Sequence, residues 1–434
     1  MIASPSLERI QAHWSELCTR IGERRAGTGG ERAAADYLLE QFRQARLEPV
    51  VEEPFPCVAV ASSEAEVEIG SGRALQRVEA RVLVGSPGTP RNGPVEGELE
   101  WVEMPEQAKR RFQPALKGKV VLLFGPMPTR ADLHRRLVKC RPAAVIHVDD
   151  RLPFEWVKDD GVYPAWVRAY GMPPTVTIAY RTAWELRKRG ANRARVRVEV
   201  DLKPAVSQNV IGEVKGREPD LPAILLGAHH DTQCHNTGAD DNASGVVALL
   251  ELARLFAGTN PLRTIRLVSF GAEEQLSVGS AAYAQAHRGE MRSIGVVLNL
   301  DSISSPLGHH CVVRAGSRSF GRWLVAGLDR EGLDVVERSA PCPFADHFPF
   351  SVFGVSSVSL LRPNMDNGLR WQHHSAHDRL DNVSAEELAR VIRAVAALAG
   401  GLAEQARWPF RRGLAPEQRA ETARLARELF GLRA

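Results

Sequence analysis

From about residue 207 onward the sequence alternates between apolar strand-like stretches and helix-like stretches, and this pattern limits the fold more than any other feature. Strands are expected at residues 209–214, 223–226, 264–270, 294–300 and 355–361, and helices at 246–256 and 385–399. Ser384 and Glu387 have capping-box spacing at the start of the second helix. Strands separated by helices of this length argue for an α/β sheet covered by helices.

The rest of the chain reads differently. Residues 6–46 are expected to be helical, with a helix opening at Thr28, where Glu31 completes capping-box spacing, and burying Ala34, Leu38 and Phe42 as one stripe. Residues 50–115 carry alternating segments such as Ala65-Glu66-Val67-Glu68-Ile69, punctuated by Gly and Pro. Further strands are expected at 119–124, 143–148, 175–179 and 195–200, and a surface-packed amphipathic helix at 416–432. We therefore expect three segments: 1–58, an inserted β-rich domain at 59–205, and 206–434.

Composition narrows the class. Of 434 residues, 44% are hydrophobic and 25% charged, which excludes a disordered or collagen-like chain. With 56 Lys+Arg against 52 Asp+Glu the net charge is only +4, so no nucleic-acid partner is expected. No membrane span is expected either, since no run reaches the roughly 18 apolar residues a crossing needs. Six cysteines are scattered without a CxxC pair, which argues against a thiolate zinc finger. Reduced, mostly buried thiols are expected, and with an N-terminus lacking a signal-peptide pattern they suggest a cytoplasmic location.

The polar residues at the strand ends carry the functional argument, because sites in open α/β sheets lie beyond the carboxyl ends of the strands. The 223–226 strand runs into Gly227-Ala228-His229-His230-Asp231, and the 264–270 strand into Gly271-Ala272-Glu273-Glu274. The 294–300 strand runs into Asp301, and the 355–361 strand leads to His373-His374-Ser375-Ala376-His377-Asp378. The loop Gly238-Ala239-Asp240-Asp241-Asn242-Ala243-Ser244-Gly245 immediately precedes a helix. Taken singly, Asp-Asp before a helix is an N-cap and Glu-Glu is solvated surface. Five segments delivering His, Asp or Glu to one sheet edge point instead to metal. Mixed His and carboxylate donors suit two divalent ions, zinc foremost, with cobalt or manganese also compatible. Paired ions need a bridging carboxylate, and one nearby group must stay unligated to take a proton from water. Glu273 and Glu274 can divide the roles of base and ligand.

These motifs, GAHHDT, GADDNASG, FGAEEQLSVGS, NLDS and HHSAHD, resemble in content and order those of the M28 peptidase family, the co-catalytic dizinc aminopeptidases. RRAGTGGERAAADYLLEQF is similar to the family's first helix. The resemblance implies a mixed, mostly parallel central sheet flanked by helices, the zinc-exopeptidase fold. It implies that His229 and Asp301 hold one ion, Glu274 and His374 the other, and Asp241 both. Glu273 would be the general base, and Asp231 would orient a ligand. A hydroxide bridging two zinc ions would then hydrolyse peptide substrates. Asp378 is supportive only, and His230, His373 and His377 are expected outside the ligand set, although a shift of one residue would exchange His230 or His373 with its neighbour.

There are departures. Ser375 stands where the family usually has threonine. The family's late tyrosine, which stabilises the oxyanion, has no counterpart, since the last of the five tyrosines is Tyr283. Asp346-His347 resembles a motif near the family's active site, and His347 is either a substitute donor or half of a structural Asp–His pair. Residues 116–122, 143–146 and 173–178 resemble a protease-associated domain, more weakly. The main reading is an aminopeptidase. A carboxypeptidase or dipeptidase on the same scaffold is the alternative, with Arg362 or Arg370 as the cation for a substrate carboxylate. A non-catalytic receptor-like relative and a single-zinc glutaminyl cyclase are the remaining readings.

Overall fold

A computed structural model describes residues 4–103, 114–125, 130–363 and 370–432. The chain divides into two compact units, Met1–Ala59 with Pro204–Ala434, and Val60–Lys203. Both boundaries fall inside long strands, Val50–Ser71 and Arg193–Val214.

The larger unit begins with helices α1 (Leu7–Trp14) and α2 (Gly29–Gln44). Its sheet is built from the C-terminal part of β1 (Arg193–Val214) with β2 (Ala223–His229), β3 (Ile265–Phe270), β4 (Ile294–Leu300), β5 (His310–Ala315), β6 (Val335–Arg338) and β7 (Ser356–Leu361). The spatial order is β6-β5-β7-β4-β2-β3-β1. Strands β3, β2, β4 and β7 run parallel, β5 is parallel to β6, and the β1–β3 and β5–β7 pairs are antiparallel. The sheet is thus mixed and mostly parallel, as the strand–helix alternation and the resemblance lead one to expect.

Both faces of the sheet are buried, which is why its central strands read as unbroken apolar runs. Ile224 and Leu226 of β2 and Val296 and Leu298 of β4 join one core, with α1, α2, the helix α3 (Ala243–Phe256) and the later helix at Ala385–Ala403. Leu225, Val268, Phe270 and Val297 point the other way, into a second core with Tyr283 and Phe350. Those two residues come from α4 (Val278–Ala286) and the short α5 (His347–Val352). Every residue of α3 except Arg254 is buried, so it is a central helix with no solvent face.

The smaller unit is less purely β than its sequence suggests. Strands Val95–Glu103, Val120–Phe124, Ala144–Val148 and Thr175–Ile178 lie side by side in parallel. Short helices Ala131–Lys139, Pro164–Tyr170 and Tyr180–Lys188 alternate with them. None exceeds nine residues, too short for helical periodicity to stand out against the flanking strand signals.

Both expected capping boxes form only in part. Thr28 has N-cap backbone angles, but its hydroxyl donates to the Arg25 carbonyl. Glu31 reaches past it to the amides of Gly27 and Ala272 and the Ser207 hydroxyl. Ser384 does accept from the Glu387 amide, while the Glu387 carboxylate pairs with Arg362 and Arg390. In each case a tertiary partner takes the glutamate from its local one.

Gly245 shows how tightly the loop before α3 is held. A Cβ there would lie 2.4 Å from the Leu300 carbonyl oxygen, 2.6 Å from Asn242 Oδ1 and 2.9 Å from Ala228 Cβ. Gly245→Ala is therefore expected to destabilise the fold by about 1–3 kcal/mol despite alanine's better helix propensity. Denaturant unfolding checks this; an unchanged or raised midpoint would mean the close approach has no energetic consequence.

Candidate metal centre

Each polar segment identified in the sequence leaves the carboxyl end of a parallel strand or precedes α3. His229 is the last residue of β2. Glu273 and Glu274 follow β3 in a one-turn helix, and Asp301 follows β4. The 238–245 loop is fixed at both ends. Asn242 caps α3 by accepting from the Gly245 amide, and it also accepts from the Ser302 amide and donates to the Leu300 carbonyl. That one side chain ties Asp241 to the strand end carrying Asp301. The Asp241–Asn242 peptide is cis.

Five segments converge. One oxygen or nitrogen each from His229, Asp241 and Asp301 lie within 4.8 Å of one another, and so do those of Asp241, His373 and His374. Asp241 belongs to both groups. Its Oδ1 is 3.2 Å from His229 Nε2, and its Oδ2 is 3.6 Å from His374 Nε2. His374 Nε2 is also 3.2 Å from Glu274 Oε2. Glu273 Oε2 stands 3.8 Å from His229 Nε2, and its other oxygen accepts from the Ser277 hydroxyl.

Two further aspartates position these groups. Asp231 Oδ1 accepts the Glu273 amide at 2.9 Å and its Oδ2 the Glu274 amide at 3.1 Å, while Oδ1 lies 3.4 Å from His229 Nδ1. Asp378 accepts the Asp240 and Asp241 amides at 2.7 and 2.9 Å, a firmer role than its sequence position suggests. Asp240 is turned away from the centre, onto Ser304 and Gln372.

The adjacent histidines separate clearly. His230 faces the other side of β2, bonded to the Ser269 hydroxyl. His373 does not lie outside the cluster: its Nδ1 is 2.7 Å from Asp241 Oδ2, and its ring stacks on His374 with centroids 3.5 Å apart. Only His374, however, reaches both Asp241 and Glu274. Asp346 and His347 form no pair with each other. Both are fully buried, and among the described residues neither ring nitrogen of His347 has a hydrogen-bond partner. Tyr283, the chain's last tyrosine, is buried against Phe270 and Phe350 and bonded to Arg266.

Arg362 is built into the fold: it donates to the Ser305 carbonyl, contacts His310 and pairs with Glu387. Arg370 is in the centre itself, 3.1 Å from Asp241 Oδ2 and 3.2 Å from Asp301 Oδ1. Sequence reading placed it only in the loop before His374. Gln233, which donates to Glu274 Oε2 at 2.9 Å, carries no signal of its own in the sequence.

The donor set fits divalent metal. Burial pushes the Glu273 carboxyl well above the ordinary range and raises that of Glu274. Burial also opposes a charged His229, but Glu273, Asp231 and Asp241 outweigh it and push that imidazole well up. Buried carboxylates in this number call for cations. Glu274 Oε1 is buried without a hydrogen-bond partner among the described residues, as expected of an oxygen reserved for a ligand. Three residues next to or within the set, Ala272, Ser302 and His374, have left-handed backbone at φ +51, +52 and +54. Such strain, about 1–3 kcal/mol per residue, persists only where the surroundings impose it, and it aims the neighbouring side chains inward.

The sequence model of peptidase family M28 matches residues 209–399, the stretch that supplies this cluster. Aminopeptidase YwaD of Bacillus subtilis is 28% identical over 198 residues, 42% of this chain and 42% of that enzyme. The probable lipoprotein aminopeptidase LpqL of Mycobacterium tuberculosis is 27% identical over 431 residues, covering 88% of this chain and 82% of its own. The structure of BSAP, a zinc aminopeptidase from Bacillus subtilis, superposes with a TM-score of 0.74 at 21% identity, over 94% of this chain and 98% of that one. That likeness establishes the shared fold. With the motifs in family order and their side chains gathered at one edge of that fold, residues 209–399 carry the M28 peptidase domain of this chain.

Proposed function

We propose that the chain is a metal-dependent exopeptidase that removes residues from the N-termini of peptides. The observation that carries this reading is the membership of Asp241 in both ligand groups, with the Glu273 carboxylate beside them. His229, Asp241 and Asp301 would hold one divalent ion, and Asp241, Glu274 and His374 the second. Zinc is the first choice, in keeping with the name of the relative BSAP, and cobalt or manganese suits the same donors. When bound, such a pair polarises the scissile carbonyl and acidifies water.

The chain's own residues do the rest. Glu273 Oε2 faces the centre and takes the proton from the attacking water, then returns it to the leaving amine. Its Oε1 is steadied by Ser277, and its backbone by Asp231. Asp231 and Asp378 act by positioning: one sets the turn bearing both glutamates, the other the loop bearing Asp241. Residues 60–203 we read as a protease-associated-like insert.

A carboxypeptidase needs a free cation for the substrate's terminal carboxylate. Of the two candidate cations, Arg362 is consumed by Ser305, His310 and Glu387, which weighs against the carboxypeptidase. The test is hydrolysis of a panel of aminoacyl anilides beside N-blocked and C-blocked dipeptides, with and without chelator. We expect turnover of free N-termini only, abolished by chelator and restored by zinc. Cleavage of N-blocked dipeptides would overturn the aminopeptidase assignment, and activity that survives full metal removal would overturn the centre.

A further inference from the structure

We propose that the Arg370 guanidinium is the built-in counter-cation of the His374 side of the centre, and that a metal ion must displace it there, so that the two ions load in order. The proposal rests on the two-ion reading above. Asp241 divides its oxygens: Oδ1 faces His229 at 3.2 Å, while Oδ2 meets His373 at 2.7 Å, Arg370 at 3.1 Å and His374 at 3.6 Å. Arg370 also spans to Asp301 Oδ1 at 3.2 Å, an oxygen already engaged by the Ser302 hydroxyl at 3.0 Å. The His229 side therefore keeps Asp241 Oδ1 and the second Asp301 oxygen, and can fill with Arg370 in place. The His374 side shares Asp241 Oδ2 with the guanidinium.

A guanidinium and a divalent ion on one carboxylate oxygen repel each other. The Arg370 side chain is only 11% exposed, so water screens that repulsion poorly. Arginine does not deprotonate, so the charge leaves only if the side chain moves. Among the described residues nothing else anchors its side chain: its terminal nitrogens bond to Asp241, Asp301 and His373, and its Nε has no partner.

The experiment titrates metal-free protein with Co2+, followed by visible absorption and calorimetry, for the wild type, Arg370→Gln and Arg370→Lys, with melting of each metal-free form. The wild type is expected to bind in two steps, the second weaker. In Arg370→Gln the second step should tighten by about ten-fold or more, the size expected when a charge-assisted contact no longer has to be broken. The first step should tighten less than the second, since Arg370 engages one oxygen of Asp301 there and leaves the other free, and the metal-free protein should melt lower. Arg370→Lys, which keeps the charge as a single point, should fall between and remains a test if the glutamine variant does not fold. A group that merely orients ligands behaves oppositely, since its loss weakens metal binding by roughly 10–100-fold. An unchanged or weaker second step in Arg370→Gln, or simultaneous binding of both ions in the wild type, would overturn the proposal. A wild type that binds no Co2+ at all would overturn the metal centre, and this inference with it.

Discussion

Glu273→Gln should lose about 10²–10⁴-fold in kcat while retaining its full metal content. The reasoning is geometric. Glu273 Oε2 is 3.8 Å from His229 Nε2, so the carboxylate borders the ligand cluster, whereas Glu274 Oε2 sits against His374 Nε2 at 3.2 Å. The Glu273 backbone is held by Asp231 and its Oε1 by Ser277, and both contacts survive in the isosteric amide. What glutamine cannot do is accept a proton from water. The expected loss corresponds to about 3–5 kcal/mol of transition-state stabilisation. Steady-state kinetics beside metal analysis of the same sample decides it. A variant that turns over normally would remove Glu273 from the mechanism, and one that loses metal would make it a ligand.

Asp241→Ala should be more severe, because it removes the one side chain shared by both ligand groups. The expected result is loss of both ions and of activity with them, whereas His374→Ala, whose imidazole meets Asp241 and Glu274 on one side of the centre, should lose one. Metal stoichiometry after dialysis at fixed free zinc distinguishes the two patterns. Loss of a single ion in Asp241→Ala would mean that its two oxygens do not serve two sites. The substitution also leaves Arg370 without its Oδ2 partner, so the metal-free variant should melt below the metal-free wild type.

The central strands were legible because a sheet buried on both faces must be apolar at every position, as in Ile224, Leu225 and Leu226. The candidate ligands His229, Glu274 and Asp301 were legible because each sits at or just past the end of such a strand. Strands β5 and β6 were missed: β5 includes the polar His310 and Arg314, and the four-residue β6 leaves Val336 48% exposed, so neither has the continuous apolar run that marks the centre of the sheet. The helices of the smaller unit were missed because nine residues or fewer give too few turns for a periodic stripe.

By itself, then, the order of apolar runs and polar strand ends determined the central sheet and its covering helices and marked five segments rich in His, Asp and Glu, from which the family resemblance singled out His229, Asp241, Glu273, Glu274, Asp301 and His374. Only the tertiary structure decided that His230 turns away from the centre while His373 and His374 both face Asp241, why Asp240 serves Ser304 while Asp241 faces the centre, and that Arg370 stands among these side chains. The reason is physical. A strand's pleat and a helix's period are local and leave a pattern along the chain. The direction of a side chain in a loop is set by hydrogen bonds to residues far away in sequence, such as Asp378 and Asn242, which leave no pattern at all.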